Sequence, residues 1–345
     1  MILHIMTLDK FTPAFIDFVA KHFDATNHKF TFITSKRYQY GLTPEHGAEF
    51  LHTDDDFEVL RGYMAQSDKI ILHGLKRDKV HRILCEHPDY LQKSIWVMWG
   101  GDFYYPEMYN DDHRYVMRHV PYLVNILDEE MTMVRSMYGV TGRHIRSFFY
   151  NTTLFHGDDL SAKSAGNCRI LLGHSAVREN QHIEYLDMLK ANDDGELQIF
   201  CPLVYPRGDL DYIKTVAEHG KLCFGERFMP LLDYVPLDQY LQWLDQVNMA
   251  ILPSPRQHGM GNLVNLLGQG RKVYLDTRVS TWSFFNRIGV ELYPVDNIRF
   301  SPMADSAAKR NHQIISDYFS VKRLVRDLTV IFSFEFGQDL VLEEV

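Results

Sequence analysis

Short apolar runs of strand composition alternate with amphipathic helical stretches from the first residues of this chain, and the alternation runs through twice. Strands are predicted over 2–6, 30–34, 70–72, 95–98 and 122–126, with a helix over 13–22 after the first. A chain that leaves each strand through a helix builds a mainly parallel sheet covered on both faces. Between 155 and 167 the sequence turns polar, with two glycines and no apolar periodicity, and reads as a linker. Strands then recur over 169–172, 197–200, 249–252 and 273–275, separated by helices over 181–190, 210–219, 238–245 and 262–267. The last of these helices ends at Gly268 and Gly270, which suit a left-handed C-cap. The expectation is an α/β protein of two Rossmann-like domains, 1–155 and 168–315. A helical tail over 316–345, with apolar positions at Ile315, Tyr318, Phe319, Val321, Leu324 and Leu328, is expected to pack back across the junction.

The 345 residues suffice for two domains that each bury a core. Net charge separates the classes of ligand. A formal charge of −9 excludes general nucleic-acid binding, which needs a basic surface to neutralise phosphates. Cys85, Cys168, Cys201 and Cys223 are scattered without CxxC spacing, as expected of reduced thiols in a cytoplasmic protein. The start, MILHIMTLDKF, lacks the basic segment of a signal peptide, and no run approaches the roughly 20 apolar residues that span a bilayer. Membrane contact is therefore expected to be peripheral. Lys21, Lys29, Lys36 and Arg37, with Arg114, Arg118 and His119, offer either a basic face towards anionic lipid or ordinary solvated charge.

In open parallel sheets ligands collect beyond the carboxyl ends of strands, so the loops leaving strands are the places to search. The loop from Gly173 to His182 carries small residues where backbone can approach a ligand, with Ser175 and Arg178 placed to meet an anion at a helix start. The alternative is an ordinary turn in which Ser175 or Asn180 caps the helix. A second loop, 253–262, holds Gln257, Gly259, Gly261 and Asn262. It lacks the GK[ST] of a Walker A loop, yet its glycines let a phosphate reach the next helix. Two phosphate-compatible loops in one half point to a nucleotide diphosphate.

In the first half, the strand over 95–98 ends at Gly100-Gly101 and leaves Asp102 among Trp96, Trp99, Phe103, Tyr104 and Tyr105. Aromatic faces suit sugars, and Asp102 is the candidate general base for an acceptor hydroxyl, against a turn-capping role. His73-Gly74 is a second candidate at a strand end. Of the DxD-like clusters, Asp54-Asp55-Asp56 falls in a charged loop and Asp209-Leu210-Asp211 at a predicted helix start, where acids favour the dipole, so no metal site is assigned. Zinc-ligand spacing and a GxSxG elbow are absent from the sequence.

Taken together, His73-Gly74, Trp99-Gly100 with Asp102, the series Gly173, Ser175, Arg178, Asn180 and His182, then Pro202, Tyr205-Pro206, Tyr212, Arg256-Gln257, Gly259 and Gly261 resemble the bacterial TDP-Fuc4NAc:lipid II 4-acetamido-4,6-dideoxy-galactosyltransferases of enterobacterial common antigen synthesis, glycosyltransferase family 56. The resemblance runs from about Ile70 to Asp276. It implies the GT-B architecture, two Rossmann-like domains facing each other across a cleft. It also implies an inverting transfer of an amino-deoxy sugar from a dTDP donor to a lipid-linked saccharide. The nucleotide-sugar donor is then a co-substrate, no cofactor or metal is required, and a peripheral place on the inner face of the bacterial inner membrane follows from the acceptor. On this reading Asp102 is the base, and His73, Trp99 and Tyr104 hold the acceptor. Gly173, Ser175, Arg178, Asn180, His182, Tyr205, Gln257, Gly259, Gly261 and Asn262 hold the donor. Two other readings stay open at this stage: a nucleotide-sugar epimerase or hydrolase of the same fold, and a non-catalytic sugar-nucleotide-binding subunit.

Overall fold

The computed structural model describes residues 1–157, 160, 168–205 and 209–337. Most of the predicted linker (158–159 and 161–167), and Pro206 of the resemblance, lie outside the described residues. The chain forms two compact units, Met1–Thr153 with the segment from Val321 onward, and Leu154–Ser320.

In the first unit the strands are β1 (Ile2–Met6), β2 (His28–Phe32), β3 (Glu49–Phe50), β4 (Lys69–His73), β5 (Ser94–Val97), β6 (Tyr122–Val124) and β7 (Arg143–Ile145). Among the described residues they make one seven-stranded sheet of order β3-β2-β1-β4-β5-β6-β7, with parallel neighbours throughout. The second unit contains β8 (Arg169–Leu172), β9 (Gln198–Pro202), β10 (Phe228–Leu231), β11 (Met249–Leu252), β12 (Lys272–Leu275) and β13 (Tyr293–Pro294). Its sheet is ordered β10-β9-β8-β11-β12-β13, again parallel. Both units therefore carry the doubly wound order, and each has a switch point where successive connections leave to opposite sides: between β1 and β4, and between β8 and β11.

Burial on both faces explains why the central strands are legible as apolar runs, since every residue of β4 and of β11 is buried. The strands the sequence reading leaves out are β3, β7, β10 and β13, which are the edges of the two sheets. Two are only two residues long, β7 reads Arg-His-Ile, and β10 and β13 contain Pro230 and Pro294. Edge strands need no continuous apolar run and tolerate proline, which cannot donate to a central ladder.

The predicted tail divides at Val321. Helix Asp305–Tyr318 lies within the second unit, and helix Val321–Ser333 within the first. There, buried Lys69 at the start of β4 donates from Nζ to the carbonyls of Ile331, Phe332 and Phe334 at 2.8, 3.0 and 2.9 Å. One ammonium thus satisfies the open carbonyls at the helix end. Among the described residues no helix is long and apolar enough to cross a membrane.

Candidate active site

At the switch point of the second unit, the loops leaving β8 and β11 are the two that the sequence singles out, and the fold ties them together. The Gly173 N–H donates to the carbonyl of Ile251 at 2.9 Å. Arg256 donates from Nη2 to Glu179 Oε1 at 3.3 Å, and the His174 and His258 rings lie 4.8 Å apart. Gly173 has φ +69°, and a Cβ there would fall 2.5 Å from His182 Nε2. Gly259 has φ +60° and would place a Cβ 3.2 Å from the His174 ring. Both glycines thus combine a left-handed backbone with close approach of a ring, and no other residue satisfies both.

Gly259 is also the N-cap of helix Met260–Gly268, and no side chain caps that helix. The N–H groups of Met260, Gly261 and Asn262 donate no hydrogen bond among the described residues. Free N–H groups at the positive end of a nine-residue helix favour an anion. Asn262 itself donates from Nδ2 to the Tyr240 hydroxyl at 2.9 Å, which holds the start of the helix in place. Gln257 lies half-buried in the same loop.

Other expected donor residues have supporting or outlying places. Buried Asn180 donates from Nδ2 to the carbonyl of Ser175 at 2.8 Å and so fixes the loop from within. His182 is fully buried, with Nδ1 2.9 Å from the Tyr212 hydroxyl; burial pulls its pKa down to about 4, so the ring is neutral at pH 7. Half-exposed Tyr205 accepts the Ala176 N–H at its carbonyl, which joins the loop after β9 to the loop after β8. Arg178 is engaged elsewhere: two-thirds exposed, it pairs with Asp209 at 2.8 Å and lies over the Tyr212 ring. Arg256, noted in the resemblance but not among the expected donor residues, is the guanidinium that belongs to the loop preceding that helix.

In the first unit, Asp102 is enclosed rather than presented. Its side chain is 0% exposed. Oδ2 accepts from Trp96 Nε1 at 3.0 Å and from the Trp99 N–H at 2.9 Å, while Oδ1 faces Lys76 Nζ at 3.0 Å. Bonds from one carboxylate to the Trp99 backbone, a tryptophan indole and a lysine organise the short helix Gly100–Asp102. The base role expected from the sequence needs a carboxylate oxygen in reach of a hydroxyl, and here no part of this one is exposed. His73 and Trp99 are brought together through Tyr150, whose hydroxyl lies 2.7 Å from His73 Nδ1 and accepts from Trp99 Nε1 at 2.9 Å. Tyr104 is directed elsewhere, its hydroxyl donating to Glu130 at 2.7 Å.

Both acidic clusters serve helix starts: Asp209 caps helix Leu210–Phe224 as expected, whereas Asp54-Asp55-Asp56, expected in a charged loop, form the first turn of helix Asp54–Gln66. Asp56 accepts the N–H groups of His52 and Thr53, which hold its carboxyl down to about 2, and Asp209 accepts the Tyr212 N–H. Elsewhere, Asp187, His219 and Cys223 place three ligand-type atoms within 4.8 Å on two neighbouring helices, a proximity that separate sequence positions do not announce. His219 Nε2 lies there 2.6 Å from Asp187 Oδ1, the arrangement of an ordinary surface hydrogen bond.

Comparison with solved structures agrees with this architecture. The chain is similar to Anabaena HepE in complex with UDP and glucose (TM-score 0.69, 13% identity, covering 96% of this chain and 99% of that one). It is also similar to sucrose-phosphate synthase of Thermosynechococcus elongatus (0.69, 10%, 96% and 98%) and to a glycosyltransferase of Rickettsia africae (0.66, 9%, 96% and 97%). At such identities the likeness defines the fold, which is GT-B. A family model described as 4-alpha-L-fucosyltransferase, glycosyl transferase group 56, matches residues 58–283. Because that span takes in β4, the Asp102 turn and both switch-point loops of the second unit, about two thirds of the sequence in all, the chain is a glycosyltransferase and belongs to group 56.

Proposed function

We propose that this enzyme moves an amino-deoxy sugar of the Fuc4NAc type from a dTDP-sugar to a lipid-linked glycan, with inversion at the anomeric carbon and without a metal. The observation that carries the donor half of this reading is the uncapped helix start at Gly259, set beside the Gly173 loop. In an inverting transfer the acceptor oxygen forms its bond to the anomeric carbon as the bond to the nucleoside diphosphate breaks on the opposite face. Negative charge grows on the departing diphosphate. The N–H groups of Met260, Gly261 and Asn262, with Arg256, supply fixed donors for that charge, worth most where water is excluded. Ser175, Asn180 and His182 keep the facing loop in shape.

The acceptor half of the proposal rests on the aromatic cluster of the first unit, where Trp99 and Tyr150 offer ring faces and a hydroxyl at the carboxyl ends of β4 and β5. We assign Asp102 there to positioning: it holds Trp99 and Lys76 and does not itself take the proton. Peripheral attachment to the inner membrane follows from a lipid-linked acceptor and forms part of the same proposal.

A thermal-shift panel of dTDP, UDP, GDP and their sugar conjugates tests the donor half. A ligand at one hundred times its Kd stabilises the folded state by about 2.7 kcal/mol, so the matching nucleotide is expected to raise Tm and the others to raise it less. No shift with any of them would sink the reading. Consumption of the donor in the absence of any acceptor would replace transfer by hydrolysis or epimerisation.

A further inference from the structure

Three imidazoles form a hydrogen-bonded file across the sheet of the first unit. His28, the first residue of β2, has Nδ1 2.9 Å from His4 Nε2. His4, in the middle of β1, has Nδ1 2.9 Å from Nε2 of His73, the last residue of β4. His73 continues through Nδ1 to the Tyr150 hydroxyl at 2.7 Å, and Trp99 donates to the same oxygen. The file therefore runs from the carboxyl ends of the strands, where ligands of this fold class gather, to the amino end of β2. His4 and His73 are fully buried and walled by Phe15, Phe30 and Phe149.

A neutral imidazole has one donor nitrogen and one acceptor nitrogen. A file of neutral rings consequently has two states, with every N–H pointing one way or every N–H pointing the other. In the first, Tyr150 donates to His73, His73 to His4 and His4 to His28, and the His28 Nε2 proton faces outward. In the second, all three rings have changed tautomer, Tyr150 accepts from both His73 and Trp99, and its own proton is turned outward. A proton that enters at the Tyr150 oxygen drives the first state into the second: each group takes a proton on one atom and gives one from the other, and the Nε2 proton of His28 passes to water. No charge stays behind.

We propose that Tyr150, His73, His4 and His28 are the relay that removes the proton of the acceptor hydroxyl as the glycosidic bond forms. This inference rests on the reading of the first unit as the acceptor half. Burial keeps all three rings weakly basic, His4 well below the usual histidine value, His28 at about 4 and His73 at about 3, and it raises Tyr150 well above 10. Each member is thus neutral at pH 7, and a proton passes along the file instead of being stored on it. Half-buried His28 makes no hydrogen bond from Nε2 among the described residues, which leaves the exit end open.

The test compares the full-length enzyme with His4→Gln, His28→Gln and His28→Gly. Glutamine bonds through separate atoms and cannot exchange a proton from one side to the other. With dTDP-sugar and lipid-linked acceptor saturating, kcat is expected to fall roughly 10- to 100-fold in both glutamine variants, with dTDP affinity and Tm held, since positioned acid–base groups contribute factors of this order or more. Imidazole in the buffer is expected to restore His28→Gly. A folded glutamine variant with kcat within twofold of wild type overturns the relay, and His28→Gln serves if His4→Gln does not fold. ¹⁵N-histidine NMR of the free enzyme gives a readout that needs no substrate: His4 and His73 are expected to be neutral and of one tautomer at pH 7, and an imidazolium at either overturns the proposal. Loss of transfer by the wild-type enzyme itself would instead count against the proposed function.

Discussion

Replacing Gly173 by alanine adds one methyl group to the best-defined point of the loop after β8, the proposed donor loop. The backbone there has φ +69°, and the new Cβ would lie 2.5 Å from His182 Nε2 and 3.2 Å from Asn180 Cγ. The ring cannot simply retreat. It is fully buried, its Nδ1 is bonded to Tyr212 at 2.9 Å, and Asn180 is tied to the Ser175 carbonyl. The left-handed backbone alone costs an alanine about 1–2 kcal/mol, and forcing a methyl into a packed site a further 1–3 kcal/mol, so the sum is about 2–5 kcal/mol. For a unit of this size that is a fall in Tm of roughly 4–20 °C. Differential scanning calorimetry measures it, and dTDP titration is expected to show weakened binding as the loop shifts. A second measurement isolates the clash from the strain. In a His182→Ala background the ring is gone, so the added cost of Gly173→Ala should shrink to the strain of about 1–2 kcal/mol, the remainder appearing as coupling between the two sites. An unchanged Tm and an unchanged dTDP affinity in Gly173→Ala would refute the argument that close ring approach, and not chain reversal alone, fixes this glycine.

Arg256→Ala is expected to weaken dTDP binding at least tenfold by calorimetric titration, while Arg178→Ala, whose guanidinium is taken up by Asp209 and Tyr212, changes it less than threefold; the reverse order would return the diphosphate role to Arg178. Asp102→Asn is expected to lower kcat with dTDP affinity retained, and the Trp99 fluorescence to change as the Lys76 pair is lost; wild-type kcat with an altered Trp99 signal would remove Asp102 from the site. For acid, the sign follows from the imidazoles. An unfolded histidine titrates near 6.5, whereas burial holds folded His73 to about 3 and His182 to about 4, so the unfolded chain takes up protons first. Stability is expected to be flat above pH 6.5 and to fall by several kcal/mol towards pH 4, as read by urea midpoints; a flat profile across that window would show these rings are not buried neutral.

What the sequence shows of this fold is what burial imposes on it. The central strands must be apolar on both faces, and 249–252 or 70–72 can be read directly; the edges β3, β7, β10 and β13 escape because a strand paired on one side accepts Arg143, Pro230 or Pro294 without loss. The two switch-point loops of the second unit are legible for a related reason. Gly173 and Gly259 are backbone requirements, visible wherever glycine follows a strand and opens a helix. At Asp102 the sequence shows less than the fold: Trp-Gly-Gly-Asp reads as an open turn, and only the fold reveals that Trp96, Trp99 and Lys76 close over it. His4 and Tyr150 are missed, although His4 carries a signal: it interrupts the run Ile2-Leu3-His4-Ile5-Met6 on an inner strand, where a polar side chain has no packing advantage.

That interruption separates the chemistry of the two switch points. A diphosphate is an anion with many acceptor oxygens, and backbone N–H groups at a helix start meet it without burying a side-chain charge; the donor site proposed in the second unit accordingly needs glycines and little else. A sugar hydroxyl is neutral and has one proton to lose, so a site for it needs an acceptor that does not become a stranded buried ion. Among the described residues of the first unit the one carboxylate beside Trp99 that is wholly enclosed, Asp102, already shares its charge with Lys76. Aliphatic side chains at positions 4 and 73 would fill the same volume and ask for no hydrogen bonds, whereas two buried imidazoles stay satisfied only while each finds both a donor and an acceptor. The file from Tyr150 to His28 meets that demand with one ring per strand and no net charge, which is what a proton on its way out of a closed site requires.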